Sequence, residues 1–396
     1  MTPVPLTERE GAAMLPKAET ACFVIADISG YTHFVSGVEL DHAQDIIADI
    51  MDTLVRALRP PFRLAKFEGD AAFVYALADK VDGPLLQDSI EQAYFAFRKR
   101  LRSIKQASTC ECQACSRMQS LDVKFVVHHG EFIRQKMSGR EELAGRDVIL
   151  VHRLLKNDVG KTFGPHAYAL YSDACLQAMG IDPTAQGLHE HTEAIEHIGE
   201  TKCWVSDLEE AWTQETETAR NLVQRAGAYV IMERDFAAPR QVVWDLVTSP
   251  KHHTRWQRSD GLVENNAKGR RGAGTQNHCL HGKDAVVEDI VDWRPFDYVT
   301  LTALLPIPGA PKMLFSYSFE ERNDGDAHFE LRIAKPKPKD LPFYERLRPT
   351  IEANFTAGFD ILRTMVAERR AASTVENEPP LPVSRARFLS EPRHTT

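Results

Sequence analysis

Two short apolar runs, each placed beside an aspartate, constrain this chain more than any other feature. Phe23-Val24-Ile25-Ala26 leads into Asp27 and on through Ile28-Ser29-Gly30-Tyr31-Thr32. Lys66-Phe67-Glu68-Gly69-Asp70 leads into the second run, Ala71 to Ala76. Short apolar stretches bounded by turn residues read as buried strands. Two carboxylates delivered by neighbouring strands are what a pair of divalent ions on a triphosphate would need.

The periodicity around these runs extends the constraint. Leu40 to Leu58 carries Ile46, Ile47, Ile50, Met51, Leu54 and Val55 at helical spacing, and Pro60-Pro61 ends it. Phe62 to Phe67 and Ala71 to Ala76 read as two strands joined by the tight turn Glu68-Gly69-Asp70. Leu85 to Leu101 reads as a second helix, Leu121 to Val127 as an alternating strand, and Val148 to Leu155 as the start of another helix. The order β-α-β-β-α-β is the split βαβ, ferredoxin-like pattern, so the fold class is α+β. His197 to Val205 closes this unit as a strand, and the polar stretch Asp207 to Arg225 reads as a connecting helix.

A second pattern begins near Ala228. Tyr229 to Phe236 reads as a strand and Pro239 to Leu246 as a short helix. Five strands follow: Gly274 to Leu280, Ala285 to Trp293, Tyr298 to Leu305, Leu314 to Glu321 and Ala327 to Ile333. A long helix closes the unit on the stripe Leu347, Ile351, Phe355, Phe359, Leu362 and Val366, with Pro349 marking a kink or its true start. The expected organisation is a flexible N-terminus (1–17), a first domain (18–206), a helical linker (207–226), a second domain (227–372) and a disordered tail (373–396).

The 396 residues are too many for one ordinary core. The longest apolar runs, Phe23 to Ala26 and Val148 to Val151, are too short to span a bilayer, so no integral membrane association is expected. The first twenty residues lack a basic segment followed by an apolar core, and a cytoplasmic location is the expectation. The net charge of -8 gives no support to nucleic-acid binding.

Over roughly Thr20 to Val205 the sequence resembles the catalytic palm of the class III nucleotidyl cyclases, the enzymes that form cyclic AMP or cyclic GMP. Ala26-Asp27-Ile28-Ser29-Gly30-Tyr31-Thr32 matches the first metal motif and Asp70 the second metal aspartate. The resemblance implies that Asp27, the Ile28 carbonyl and Asp70 hold two Mg2+ or Mn2+ ions. It places Lys66 on the base-reading lysine, Glu142 (or Glu141) on the second base-reading position, and Arg153 on the arginine that stabilises phosphate charge. His129-Gly130-Glu131 resembles the strand-end motif, and Gly145 to Arg153 the helix of the transition-state pair. The family's asparagine, one turn before the arginine, falls on Ile149, which cannot hydrogen-bond a ribose oxygen. The implied activity is cyclisation of a nucleoside triphosphate, ATP before GTP, by a homodimer. One chain would supply Asp27 and Asp70, and the other Lys66 and Arg153. A non-enzymatic palm that binds nucleotide or only dimerises is the alternative reading.

Cys110-Glu111-Cys112-Gln113-Ala114-Cys115 lies in an insertion near 108–118. Cys110, Cys112 and Cys115 suit a structural tetrahedral zinc, or else are free thiols. His128 and His129 lie about 23 Å along the following strand and are poor fourth ligands, which leaves Cys22, Cys203, a distant residue or a partner residue. The cluster, with the run His152-Arg153-Leu154-Leu155-Lys156-Asn157, resembles a small bacterial group of cyclase-like proteins of unassigned function.

The second unit resembles the START-like helix-grip (SRPBCC, polyketide cyclase-like) domains, on Arg234 to Leu246 followed by Ser249-Pro250 and Trp256. That resemblance implies an apolar small molecule, and the position of this unit in the chain gives the expectation that the ligand regulates the palm through the polar helix Asp207 to Arg225. Trp244, Trp256, Phe315, Tyr317, Phe355 and Phe359 are expected either to line its cavity or to fill it as core. His278, Cys279 and His281 are read as pocket or surface residues, since in a strand the two histidines face opposite sides. No nucleophile–base pair stands out in this half.

Overall fold

The computed structural model describes residues 17–36, 40–107, 117–164, 167–266 and 269–374. The first unit runs β1 (Glu19–Ser29), α1 (Tyr31–Ser36), α2 (Leu40–Leu58), β2 (Arg63–Glu68), β3 (Ala71–Leu77), α3 (Gly83–Ala107), β4 (Asp122–Met137) and β5 (Arg140–Ala144). It continues through α4 (Arg146–Leu154), α5 (Val159–Phe163), β6 (Tyr168–Ser172), α6 (Asp173–Met179), β7 (His189–Ile195), β8 (Gly199–Asp207) and α7 (Leu208–Glu217).

β1 is apolar throughout its middle because both its faces are covered. Cys22, Val24, Ala26 and Ile28 pack on one side with Ile50 and Leu54 of α2 and Phe97 of α3. Ala21, Phe23 and Ile25 pack on the other with Val148, Val151 and Leu154 of α4. This period-two division assigns each strand residue to a layer. β3 and β4 flank β1, both antiparallel, and the sheet order is β2-β3-β1-β4-β6-β8-β7. Its first four strands follow the split βαβ order. β4 extends well beyond the expected Val127 and folds back on β5. The hairpin partner β7 was not expected from the sequence.

The linker reading of 207–226 is corrected. The helix stops at Glu217, and Arg294 reaches across from the second unit to its C-terminal end. There it donates to the carbonyls of Glu215 (2.8 Å) and Thr218 (3.0 Å). These are carbonyls that a helix end leaves without internal partners. Asp207 caps the other end, accepting from the N–H groups of Glu209 and Glu210. Trp212 is buried against Phe95 of α3, so α7 is part of the first unit rather than a free connector.

The second unit comprises β9 (Ala228–Phe236), α8 (Arg240–Thr248), α9 (Pro250–Gln257), β10 (Gly261–Asn265), β11 (Gln276–His281), β12 (Asp284–Arg294), β13 (Tyr298–Leu304), β14 (Met313–Glu321), β15 (Ala327–Ala334) and α10 (Leu341–Thr374). Its seven strands form one antiparallel sheet in the order β10-β11-β12-β13-β14-β15-β9. α10 begins at Leu341, runs through Pro349 and continues past 372 to Thr374, where a disordered tail was expected. Among the described residues no helix is long and apolar enough to cross a membrane.

The two units meet at α3. The half-buried Arg270 guanidinium lies between the buried Asp88 (2.7 Å) and the half-buried Glu91 (2.5 and 2.9 Å). Beside it, Leu85, Trp244 and Trp293 close the junction to a space of about 10 Å³, room for one water at most. Burial raises the Asp88 carboxyl to about 6, against the lowering effect of Arg270. Arg270→Met should lower stability by about 1–3 kcal/mol, because the buried Asp88 loses its counter-charge and the half-buried Glu91 part of its own. In urea denaturation followed by tryptophan fluorescence, the first transition should move to lower denaturant. Adding Asp88→Asn and Glu91→Gln should restore most of the loss.

Candidate active site

Asp27 stands at the end of β1, opposite Ala71 of β3 and Lys124 of β4. The Ile28 N–H donates to the Asp70 carbonyl at 3.1 Å, which ties the β2–β3 turn to the end of β1. Gly69 makes that turn with φ +66°, a conformation that costs glycine little. The two carboxylates are thereby held side by side. Burial pushes the Asp27 carboxyl above its ordinary range, and the Asp70 charge adds to the rise. The opposing influence is the Lys124 ammonium, 3.2 Å from Asp27 Oδ2, which also donates to the Leu155 carbonyl at 3.1 Å. Sequence reasoning missed Lys124, because only cross-strand register brings it to Asp27. Two partly buried carboxylates that repel one another are a donor set suited to hard divalent cations, so the residues fit Mg2+ or Mn2+.

Lys66 Nζ lies 3.0 Å from Glu68 and 3.4 Å from Glu142, and Glu68 holds the lysine pKa above its usual value. The alternative Glu141 turns away and pairs with Arg134 at 3.0 Å. Glu142 on β5 is therefore the carboxylate that faces Lys66. His152 Nε2 also lies 3.0 Å from Glu68 Oε1, joining α4 to this edge.

α4 is seated by a close approach of backbone and side chain. Asp147 accepts from the Glu131 N–H at 2.7 Å, and its carboxylate fills the space that a Cβ on Gly130 would need, 2.3 Å away. The His129-Gly130-Glu131 and Gly145-Arg146-Asp147 motifs thus form one joint. Ile149 is 57% exposed, and Arg153 follows it one turn later on the exposed side of the helix. Asp27 and Asp70 are brought together, and Lys66 with Glu142, whereas Arg153 forms no ion pair among the described residues.

Cys110, Cys112 and Cys115 lie outside the described residues. Cys22 and Cys203, considered as a fourth ligand, are fully buried; the hydrogen bond with Cys175 and then burial hold the Cys22 thiol well above its ordinary value, and burial raises Cys203 to about 12. His128 is buried on Ser172 at 2.7 Å.

The second unit encloses a cavity of about 320 Å³, lined in part by Phe315, Tyr317 and Phe355. Trp244, Trp256 and Phe359 are core residues instead. Trp244 packs edge-on against Trp293, Phe296 and Phe319, Trp256 Nε1 donates to the Val247 carbonyl, and Phe359 packs on Phe329. Cys279 and His281 line the cavity, and His278 bonds Gln276 at 3.0 Å.

Lys124 and a divalent ion compete for Asp27. Lys124→Met should tighten Mn2+ binding by about tenfold, about 1.4 kcal/mol, read by electron paramagnetic resonance titration. Unchanged affinity would mean that the ammonium moves aside at no cost.

Residues 47–162 match the family model described as "Protein of unknown function (DUF2652)". Solved structures similar to part of the chain include the guanylyl cyclase Cya2 (14% identity, 48% of this chain, 93% of that one, TM-score 0.37). The adenylyl cyclase CyaB from P. aeruginosa is another (15% identity, 53% of this chain, 100% of that one, TM-score 0.36). The "Uncharacterized protein Rv2561/Rv2562" of Mycobacterium tuberculosis is 37% identical over 163 residues, 41% of this chain and 73% of the relative. Over that part, the chain belongs to the family of this mycobacterial protein.

Proposed function

We propose that the first unit is a class III nucleotidyl cyclase palm that acts as a homodimer on a nucleoside triphosphate, with ATP as the preferred substrate. One observation carries the reading: Asp27 and Asp70 are held side by side by the Ile28–Asp70 hydrogen bond, within a sheet of split βαβ order. Bound between these carboxylates and the Ile28 carbonyl, Mg2+ or Mn2+ would neutralise triphosphate charge. Lys66 donates to a ring nitrogen of the base, and Glu142 accepts from an exocyclic amine, the pattern that adenine satisfies. Arg153, exposed and without an ion-pair partner among the described residues, supplies its guanidinium to the phosphates in the partner's site. The ribose 3′-oxygen forms the new bond to the α-phosphorus, the bond to pyrophosphate breaks, and the hydroxyl proton leaves. Such a transfer depends chiefly on positioning and charge neutralisation.

The second unit is proposed to be a START-like helix-grip domain whose cavity holds an apolar small molecule. Its ligand would bias the palm through Arg270 and α3, where the units share ion pairs. A structural zinc on Cys110, Cys112 and Cys115 belongs to the same proposal. The second reading, a palm that binds nucleotide without turning it over, is favoured by the Lys124–Asp27 ion pair and by Ile149 in place of an amide.

Purified full-length protein with ATP or GTP and Mn2+ tests the choice, with products separated by chromatography. The cyclase reading expects a cyclic nucleotide whose rate falls by about a hundredfold or more in Asp27→Ala and in Asp70→Ala, with the fold retained. Nucleotide binding with no product at high protein concentration would select the second reading.

A further inference from the structure

The floor of the second unit's cavity carries a cluster that neither reading of the palm uses. His253 on α9, Cys279 on β11 and Glu288 on β12 are all buried, and their donor atoms lie within 4.8 Å of one another. Cys279 Sγ is 3.7 Å from His253 Nε2, and Nε2 is 4.0 Å from Glu288 Oε2. Tetrahedral zinc, with bonds of about 2.0–2.3 Å to nitrogen, oxygen and sulfur, sets its donors about 3.4–3.6 Å apart. The cysteine–histidine separation is within a few tenths of an ångström of ligating geometry, and the histidine–glutamate separation is about half an ångström longer than it, so a small inward shift of Glu288 would complete the set.

Two further observations point to a cation. His253 Nδ1 lies 2.9 Å from the Val247 carbonyl, which can only accept, so Nδ1 carries a proton and donates it there, and Nε2 is the ring nitrogen turned toward Cys279 and Glu288. A backbone carbonyl orienting the second ring nitrogen is the arrangement that metal-bound histidines use. Trp256 packs edge-on against the same ring and donates to the same carbonyl, which fixes both. Glu288, for its part, is buried with no lysine or arginine ion-pair partner among the described residues; its side-chain contacts are Asn277 Nδ2 at 3.4 Å, His253 and Cys279. A carboxylate so placed lacks compensating charge, which a divalent ion would supply.

A thiolate nucleophile is the competing use of a Cys–His pair. Burial and the neighbouring Glu288 both push the Cys279 thiol up, the reverse of an activated cysteine. Metal binding, by contrast, displaces the thiol proton.

We propose that His253, Cys279 and Glu288 bind one divalent transition-metal ion of the zinc class. Three protein donors leave a fourth position, and because Cys279 and Glu288 line the cavity, that position faces it. The remaining wall includes Leu301, Ala303, Met313 and Phe315, so the cavity suits a largely apolar small molecule that presents one oxygen donor, such as a carboxylate, to the metal. This assignment holds whether or not the palm turns over nucleotide.

The test uses full-length protein carrying Cys110→Ser, Cys112→Ser and Cys115→Ser, stripped of metal and titrated with Co2+. One equivalent should bind with a thiolate-to-cobalt charge-transfer band and tetrahedral d–d bands, and Zn2+ should displace it. Cys279→Ser should abolish the charge-transfer band. Glu288→Gln, nearly isosteric, should weaken binding by about tenfold or more with circular dichroism unchanged. In the chain that retains the other cysteines, Cys279→Ser should lower bound zinc by one equivalent. Hexanoate should shift the d–d bands. Absence of the charge-transfer band in the starting variant, its persistence in Cys279→Ser, or an unchanged zinc content in the second comparison would overturn the metal site. Unshifted d–d bands would overturn the open position.

Discussion

The hydrogen bond from the Ile28 N–H to the Asp70 carbonyl is the contact on which the candidate site depends. It joins the end of the central strand to the turn between β2 and β3, and so sets two carboxylates beside each other where burial already disfavours the charge on Asp27. The rest of the first unit makes that juxtaposition tolerable. β1 is clamped between β3 and β4 and covered on both faces, so its end cannot retreat. Lys124 offsets the charge from the neighbouring strand. The same ammonium stands where a divalent ion would be drawn, which makes it the natural residue through which to ask whether the palm is a catalyst or a binding module.

Much of this was legible in the sequence. The alternation of periods two and 3.6 carried the main strands and helices from β1 to β4, because Val24, Ile25, Ile50 and Leu54 sit where local pattern and burial agree, whereas β5, β6 and β7 were not read from it. Asp27, Asp70, Lys66 and Glu142 stood out by motif. What stayed hidden depends on partners far apart in the chain. Lys124 meets Asp27 only through cross-strand register, and Arg294 ends α7 from nearly eighty residues away. His253, Cys279 and Glu288 converge from a helix and two strands, with no spacing that announces them. The lining of the second cavity was mixed for the same reason: an aromatic stripe does not reveal which rings close the core and which leave space. Trp244 and Trp256 went to the core, Phe315 and Tyr317 to the cavity.

The junction gives the two units a physical means of coupling. Arg270 is held between Asp88 and Glu91 on α3, a helix that also packs on α2 beneath the sheet of the first unit. On the other side, Arg294 of β12 holds the end of α7, and β12 also carries Glu288 at the cavity floor. One strand thus runs from the cavity to a helix packed on the first unit. A change at the cavity that shifted β12 would be felt at α7 through those carbonyl contacts, a shorter route than the connecting segment.

The central claim is that one chain supplies the aspartates of a composite cyclase site and its partner the arginine. Mixing two inactive variants tests this most directly. Asp27→Ala and Arg153→Ala chains, unfolded together and refolded so that subunits exchange, should recover about a quarter of the unaltered rate. Half the dimers are then mixed, and each of these keeps one of its two symmetric sites intact. A mixture that stays at the level of either variant alone, or unaltered protein that forms no cyclic nucleotide, would contradict the account.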